Sequence, residues 1–137
     1  MRNALNDRLQ NRTGAARYRL DVRLDDKLEG LGLRSGFGNE FLRLGYLKAF
    51  MDGTLGSQTA RMLDGTGVEI TSREALVEIL RLAAPAGWPV AVHAIGDLAN
   101  REALDAFEET RAEWAPRGLR QRIEHAQLLA PEDVGRF

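Results

Sequence analysis

A chain of 137 residues is one domain's worth of protein, long enough to bury a core, and 44% hydrophobic content is ordinary for a soluble globular protein. A formal net charge of −1 gives no general attraction to nucleic acid or to an acidic membrane surface, and no apolar run approaches the ~20 residues of a membrane span. There is no cysteine, which excludes disulfides and thiolate metal sites; with no apolar core near the N-terminus, the expected location is the cytoplasm.

Residues 1–11 are polar with Leu5 and Leu9 on one helical face, so a helix is expected there, followed by a turn at 11–14. Residues 17–24 alternate strictly. Tyr18, Leu20, Val22 and Leu24 share one face and Arg17, Arg19, Asp21 and Arg23 the other, as in a strand with one wet face. Residues 25–31 suit a short helix, and Gly30, Gly32, Gly36 and Gly38 then mark a loop. The next strand is expected over 41–51, with Tyr46, Lys48 and Phe50 on one face and Leu47, Ala49 and Met51 on the other.

Residues 52–67 form a glycine-rich loop longer than an ordinary strand-to-helix connection, a length that often signals function. Thr71 and Glu74 have the spacing of a capping box, opening a helix whose stripe is Leu76, Ile79, Leu80 and Ala83 and which Pro85 and Gly87 end. A buried strand is expected over 89–95. Asp97 is the predicted N-cap of the following helix, with Ala103, Leu104, Phe107 and Trp114 facing inward and Pro116 and Gly118 closing it. A last strand covers 121–127, and Pro131 begins a third helix at its first turn.

Strand, loop and helix repeat in that order with apolar strands, which predicts a parallel sheet with helical crossovers. The spacing from His93 to His125 matches one unit of an eight-unit barrel of about 250 residues, and Lys48 precedes His93 by one unit plus the long loop. Three chemically capable groups thus fall at the C-terminal strand ends, where barrel enzymes keep their chemistry.

His93 and His125 suit zinc or a similar divalent ion, since neutral imidazole is a common metal ligand; the alternative is a pair of partly buried histidines hydrogen-bonded to neighbours. Lys48, in an apolar strand, either reaches solvent at the strand end or carries a CO₂-derived carbamate that bridges metals. Asp52 either orients a ligand or contacts substrate, or simply forms the turn before Gly53. Asp97 is chiefly a helix cap. Ser57, Gln58 and Thr59 lie where a loop meets substrate. Arg122 and Glu124 share the strand face opposite His125, expected to meet helices, and so suit a structural ion pair. Gly-Thr-Leu-Gly-Ser at 53–57 is not a phosphate-binding loop, and Ser57 lacks a nucleophile-elbow context.

Three runs together resemble the metal-dependent amidohydrolase superfamily, nearest the branch of N-substituted formamide deformylases and exoenzyme-like hydrolases. They are residues 47–60 (Leu-Lys-Ala-Phe-Met-Asp-Gly-Thr-Leu-Gly-Ser-Gln-Thr-Ala), 92–100 (Val-His-Ala-Ile-Gly-Asp-Leu-Ala-Asn) and 122–127 (Arg-Ile-Glu-His-Ala-Gln). The resemblance implies a (β/α)₈ TIM barrel with one or two divalent metals, usually zinc, hydrolysing a carbon–nitrogen bond of an amide-like small molecule. Lys48, His93 and His125 then match the metal-site positions of barrel strands four, five and six. Asp52, Ser57 and Asp97 are the candidate substrate contacts.

The family's His-x-His pair of strand one and aspartate of strand eight have no counterpart here. The expectation is therefore a fragment, about strands three to six of the barrel, with weak or absent metal and little activity on its own. Half a barrel has two open sheet edges, so self-association is expected, and neither nucleic acid nor membrane is expected as a partner. The competing reading is a non-catalytic α/β module serving assembly or ligand binding. A mononucleotide-binding doubly wound domain is disfavoured, because no strand is followed by a glycine phosphate signature.

Overall fold

A computed structural model describes residues 18–22, by their backbone, and residues 32–137. Four parallel strands lie in the sheet in chain order: β1 (Tyr18–Val22), β2 (Leu42–Phe50), β3 (Val90–Ala94) and β4 (Arg122–His125). Helix α1 (Arg73–Ala83) crosses from β2 to β3, and α2 (Asp97–Glu109) from β3 to β4. A short α3 (Arg111–Trp114) and a 3₁₀ turn at Ala115–Arg117 lead into β4, and a second 3₁₀ segment, Pro131–Arg136, follows it. The architecture is α/β, part of a (β/α)₈ barrel. The helix expected over 1–11, the turn at 11–14 and the helix over 25–31 lie outside the described residues.

The alternation read in β2 decides the layering. Leu47, Ala49 and Met51 are buried with Val90, Val92 and Ala94 of β3 against Leu76, Val77, Leu80 and Ala83 of α1 and Ala99, Ala103, Ala106 and Phe107 of α2. Both crossover helices therefore pack on one face of the sheet. The opposite face carries Tyr46, Lys48 and Phe50 of β2, and the register sets Lys48 beside Ala91 and Phe50 beside His93. Across the next strand pair, Ala91 lies beside Arg122 and His93 beside Glu124. Arg122 and Glu124 thus stand on the face of Lys48, not on the helix-covered face where they were expected, because the β3–β4 register places them level with Ala91 and His93.

Two helix starts differ from the sequence reading. Ser72, not Thr71, caps α1, its hydroxyl accepting from the Ala75 amide at 3.2 Å, so the capping-box spacing from Thr71 to Glu74 is not used. Gly96, not Asp97, is the N-cap of α2. A Cβ at position 96 would sit 2.0 Å from the Arg61 carbonyl oxygen, and that close approach fixes glycine there. Trp114 is half-buried on α3, which breaks from α2 at Thr110, and the segment opened by Pro131 is 3₁₀ rather than α.

Asn100, fully buried in α2, donates from its amide to the Gly96 carbonyl at 2.8 Å and to the Leu128 carbonyl at 3.1 Å. One side chain thereby joins the end of β3 to the segment after β4. Among the described residues no helix is long and apolar enough to cross a membrane.

Candidate functional site at the C-terminal edge of the sheet

The long loop after β2 is ordered by one carboxylate. Asp52 is 1% exposed. Its Oδ1 accepts the Ile95 amide at 3.0 Å, and its Oδ2 accepts the Gly96 amide at 2.8 Å and the Arg61 amide at 2.9 Å. The loop is thus pinned at its first residue and at its middle to the turn between β3 and α2. Asp97 adds a second pin, its Oδ1 accepting the amides of Leu63 and Leu98 at 2.8 Å. Both aspartates offered as substrate contacts are therefore engaged with backbone amides, and Asp52 is enclosed. Ser57 differs: it is exposed, its hydroxyl 2.6 Å from that of Thr59 and 3.0 Å from that of Thr54.

His93, the penultimate residue of β3, lies beneath this loop, its side chain 9% exposed. Its Nε2 lies 2.8 Å from the Gly53 carbonyl oxygen and 3.5 Å from Asp52 Oδ1. A carbonyl oxygen only accepts, so Nε2 carries the proton, and in the neutral ring Nδ1 holds the lone pair. Gly53 comes this close because position 53 has no side chain; a Cβ there would sit 1.9 Å from Thr59 Oγ1.

His125 ends β4 with φ of 80°, followed by Ala126 at φ of 45°. Simple alternation would place His125 on the face opposite Glu124. Instead its exposed ring lies edge-on to the His93 ring, centroids 4.6 Å apart. Two consecutive non-glycine residues at positive φ cost of order 1–3 kcal/mol each, a strain that concentrates at functional edges.

Lys48, on β2, reaches across β3 to form an ion pair with Glu124 of β4, its ammonium 5.3 Å from the centroid of Phe50. Glu124 also receives Arg122 Nη2 at 2.6 Å, and the Arg122 guanidinium stacks over Tyr46, 4.2 Å from the ring centroid. The Lys48 ammonium, with Arg122 second, holds the Glu124 carboxyl below the ordinary carboxylate range against the opposing effect of burial. Sequence reasoning missed this inward role of Glu124. The signal was available in the matched spacing of β3 and β4, which sets Glu124 level with His93.

The structure therefore brings His93 and His125 together and holds Lys48 on the same face, tied to Glu124. This donor set fits part of a metal centre. Two imidazoles from adjacent strands would serve as nitrogen ligands, whereas a catalytic zinc takes three protein ligands. Among the described residues no group of three His, Cys, Asp or Glu side chains is gathered closely enough to hold an ion.

A parallel sheet wound in chain order, with helices on one face and polar groups at the strand ends, defines a barrel-type α/β scaffold. The chain belongs to the amidohydrolase family, whose sequence model matches residues 3–137. It is 42% identical over 106 residues to Protein LONG AFTER FAR-RED 3 of Arabidopsis thaliana, covering 72% of this chain and 18% of that protein. It is 34% identical over 111 residues to the exoenzymes regulatory protein AepA of Pectobacterium carotovorum, covering 77% of this chain and 23% of that one. Among solved structures it resembles an uncharacterized metal-dependent hydrolase from Pyrococcus furiosus, with a TM-score of 0.68 and 39% identity, covering 81% of this chain and 24% of that chain. The chain thus spans about a fifth of the length of the curated relatives it matches.

Proposed function

We propose that this chain supplies the Lys48, His93 and His125 sector of a divalent-metal hydrolase, with zinc the first candidate, that cleaves a non-peptide carbon–nitrogen bond in an amide-like small molecule. The observation that carries the reading is the His93–His125 pair at the C-terminal sheet edge, with His93 donating its Nε2 proton to Gly53. Metal-binding histidines are typically oriented by donating the other ring N–H to a carbonyl or carboxylate. A bound divalent ion supplies polarisation of the scissile carbonyl and a lowered pKa for its water. The chain's own residues do the rest: His93 and His125 hold the ion, the Asp52-pinned loop shields one side, and the exposed Ser57 hydroxyl contacts substrate. Held by Glu124, Lys48 serves as an ammonium; freed from that pair and deprotonated, its amine would add to CO₂ with loss of a proton, and the carbamate oxygens would then be available as metal ligands.

Two imidazoles fall short of a catalytic set, so the 137-residue chain alone should bind zinc weakly and turn over little substrate. Zinc calorimetry on the wild type and on His93→Ala and His125→Ala tests the ligand role. Each substitution should weaken the binding, and equal binding by all three proteins would refute it. Assay against N-formyl amines tests the expected inactivity and the deformylase-like branch; turnover in the usual enzyme range of roughly 1–10³ per second would show the isolated site to be sufficient.

A second reading, self-association, is favoured by the sheet itself: among the described residues β1 and β4 are its outermost strands. An open edge of a parallel sheet invites pairing with another copy. Sedimentation velocity showing only monomer at micromolar concentration would rule this out.

A further inference from the structure

We propose that Asp52 is a positioning residue for His93: by clamping the loop to the β3–α2 turn, it sets the Gly53 carbonyl on Nε2 and so fixes the tautomer and aim of the imidazole. This deepens the reading of His93 as a site residue, and rests on it for its functional meaning.

The geometry is specific. Three backbone amides from two separate segments converge on one enclosed carboxylate: Arg61 from the loop, and Ile95 and Gly96 from the turn after β3. Backbone links extend the clamp, with Gly53 N donating to Thr59 O at 3.1 Å, Met51 N to His93 O at 2.9 Å and Ala99 N to Arg61 O at 3.3 Å. The carbonyl that takes the imidazole proton belongs to the next residue, Gly53, and its peptide is held by Thr54 N donating to Thr59 Oγ1 at 2.9 Å. Asp52 Oδ1 itself stands 3.5 Å from Nε2, close enough to favour a proton on that nitrogen. The substrate-contact reading of Asp52 gives way to one in which it acts through His93.

An asparagine at position 52 keeps the shape but replaces one acceptor oxygen by an NH₂ group facing backbone N–H donors. The clamp should loosen and the Gly53 carbonyl should drift from Nε2. The test is nitrogen NMR of the ¹⁵N-histidine-labelled, metal-free chain. Two histidines give two ring systems, assigned with His125→Gln.

In the unmodified protein His93 should be a single Nε2–H tautomer. In Asp52→Asn its two nitrogens should move toward an averaged position, while the amide resonances of β3 stay in place. An Nδ1–H tautomer in the unmodified chain, or a pure Nε2–H tautomer in folded Asp52→Asn, would overturn the proposal. If Asp52→Asn does not fold, amide exchange in the unmodified chain decides. Arg61 N–H should exchange at the rate of Gly96 N–H, ~10-fold or more slower than the Thr66 amide, whose bond to the Asp64 side chain is local and exposed. Exchange of Arg61 at the Thr66 rate would overturn the proposal. These readouts use neither metal nor substrate, so they fail separately from the hydrolase reading, which fails on zinc binding.

Discussion

Glu124→Gln removes the charge that Lys48 and Arg122 share. Lys48 is 16% exposed in its side chain and Glu124 29%, so the pair lies between the surface and interior cases. Exposed pairs contribute about 0–1 kcal/mol, whereas breaking a buried pair costs about 3–5 kcal/mol, because one charge is left without a partner. The intermediate exposure puts Glu124→Gln at a loss of about 2 kcal/mol. Lys48→Met should cost less, about 1 kcal/mol, because Glu124 then keeps Arg122 and the methionine retains the packing on Phe50. The double substitution should recover part of the loss, giving a coupling energy of about 1–2 kcal/mol.

Urea unfolding followed by tryptophan fluorescence measures all four proteins; Trp88 is buried and Trp114 half-buried, so both report the fold. The pH dependence carries the sign. The folded carboxyl of Glu124 titrates below its unfolded value of about 4.5, so its contribution is complete above that value and is lost as pH falls through the folded one. The difference between wild type and Glu124→Gln should therefore shrink below about pH 4.5. A coupling energy under about 0.5 kcal/mol, or Lys48→Met costing more than Glu124→Gln, would refute the asymmetric sharing.

Gly96→Ala should destabilise by more than about 2 kcal/mol, because the new Cβ meets backbone at Arg61 rather than a side chain that can move; a circular-dichroism melt unchanged from wild type would contradict this. Ala126→Gly should raise stability by about 0.5–1 kcal/mol in urea titration, since glycine relieves positive-φ strain at a cost in unfolded-chain entropy. Leu80→Ala, at a fully buried position between the sheet and α1, should lose about 2–5 kcal/mol by the same titration.

The strands and crossover helices were legible because their periodicities are clean: the face of Leu47, Ala49 and Met51 and the stripe of Leu76, Leu80 and Ala83 are buried as the alternation and the helical spacing require. The meeting of His93 with His125 was foreshadowed only as a matched position, since ring contact depends on the positive φ at His125, which no local pattern announces. The roles of Asp52 and Glu124 were less visible for a different reason. Each acts across more than 40 residues of sequence on some of its partners, Asp52 on Gly96 and Glu124 on Lys48, and such separation leaves no periodic trace. The cap at Ser72 was displaced by one position because Thr71 and Ser72 are both competent hydroxyl caps, and only the geometry of the first turn chooses between them.

The chain-order sheet has a consequence for how the molecule is assembled. Each new strand adds to the edge that the preceding unit has just left exposed, so no earlier pairing must open to admit it. Growth of this kind is compatible with folding during synthesis, one strand-and-helix unit at a time, and keeps the loop entropy at each step to that of a single unit. In that order of growth the histidine contact forms last, because His93 is set by the loop before it and His125 arrives only with β4.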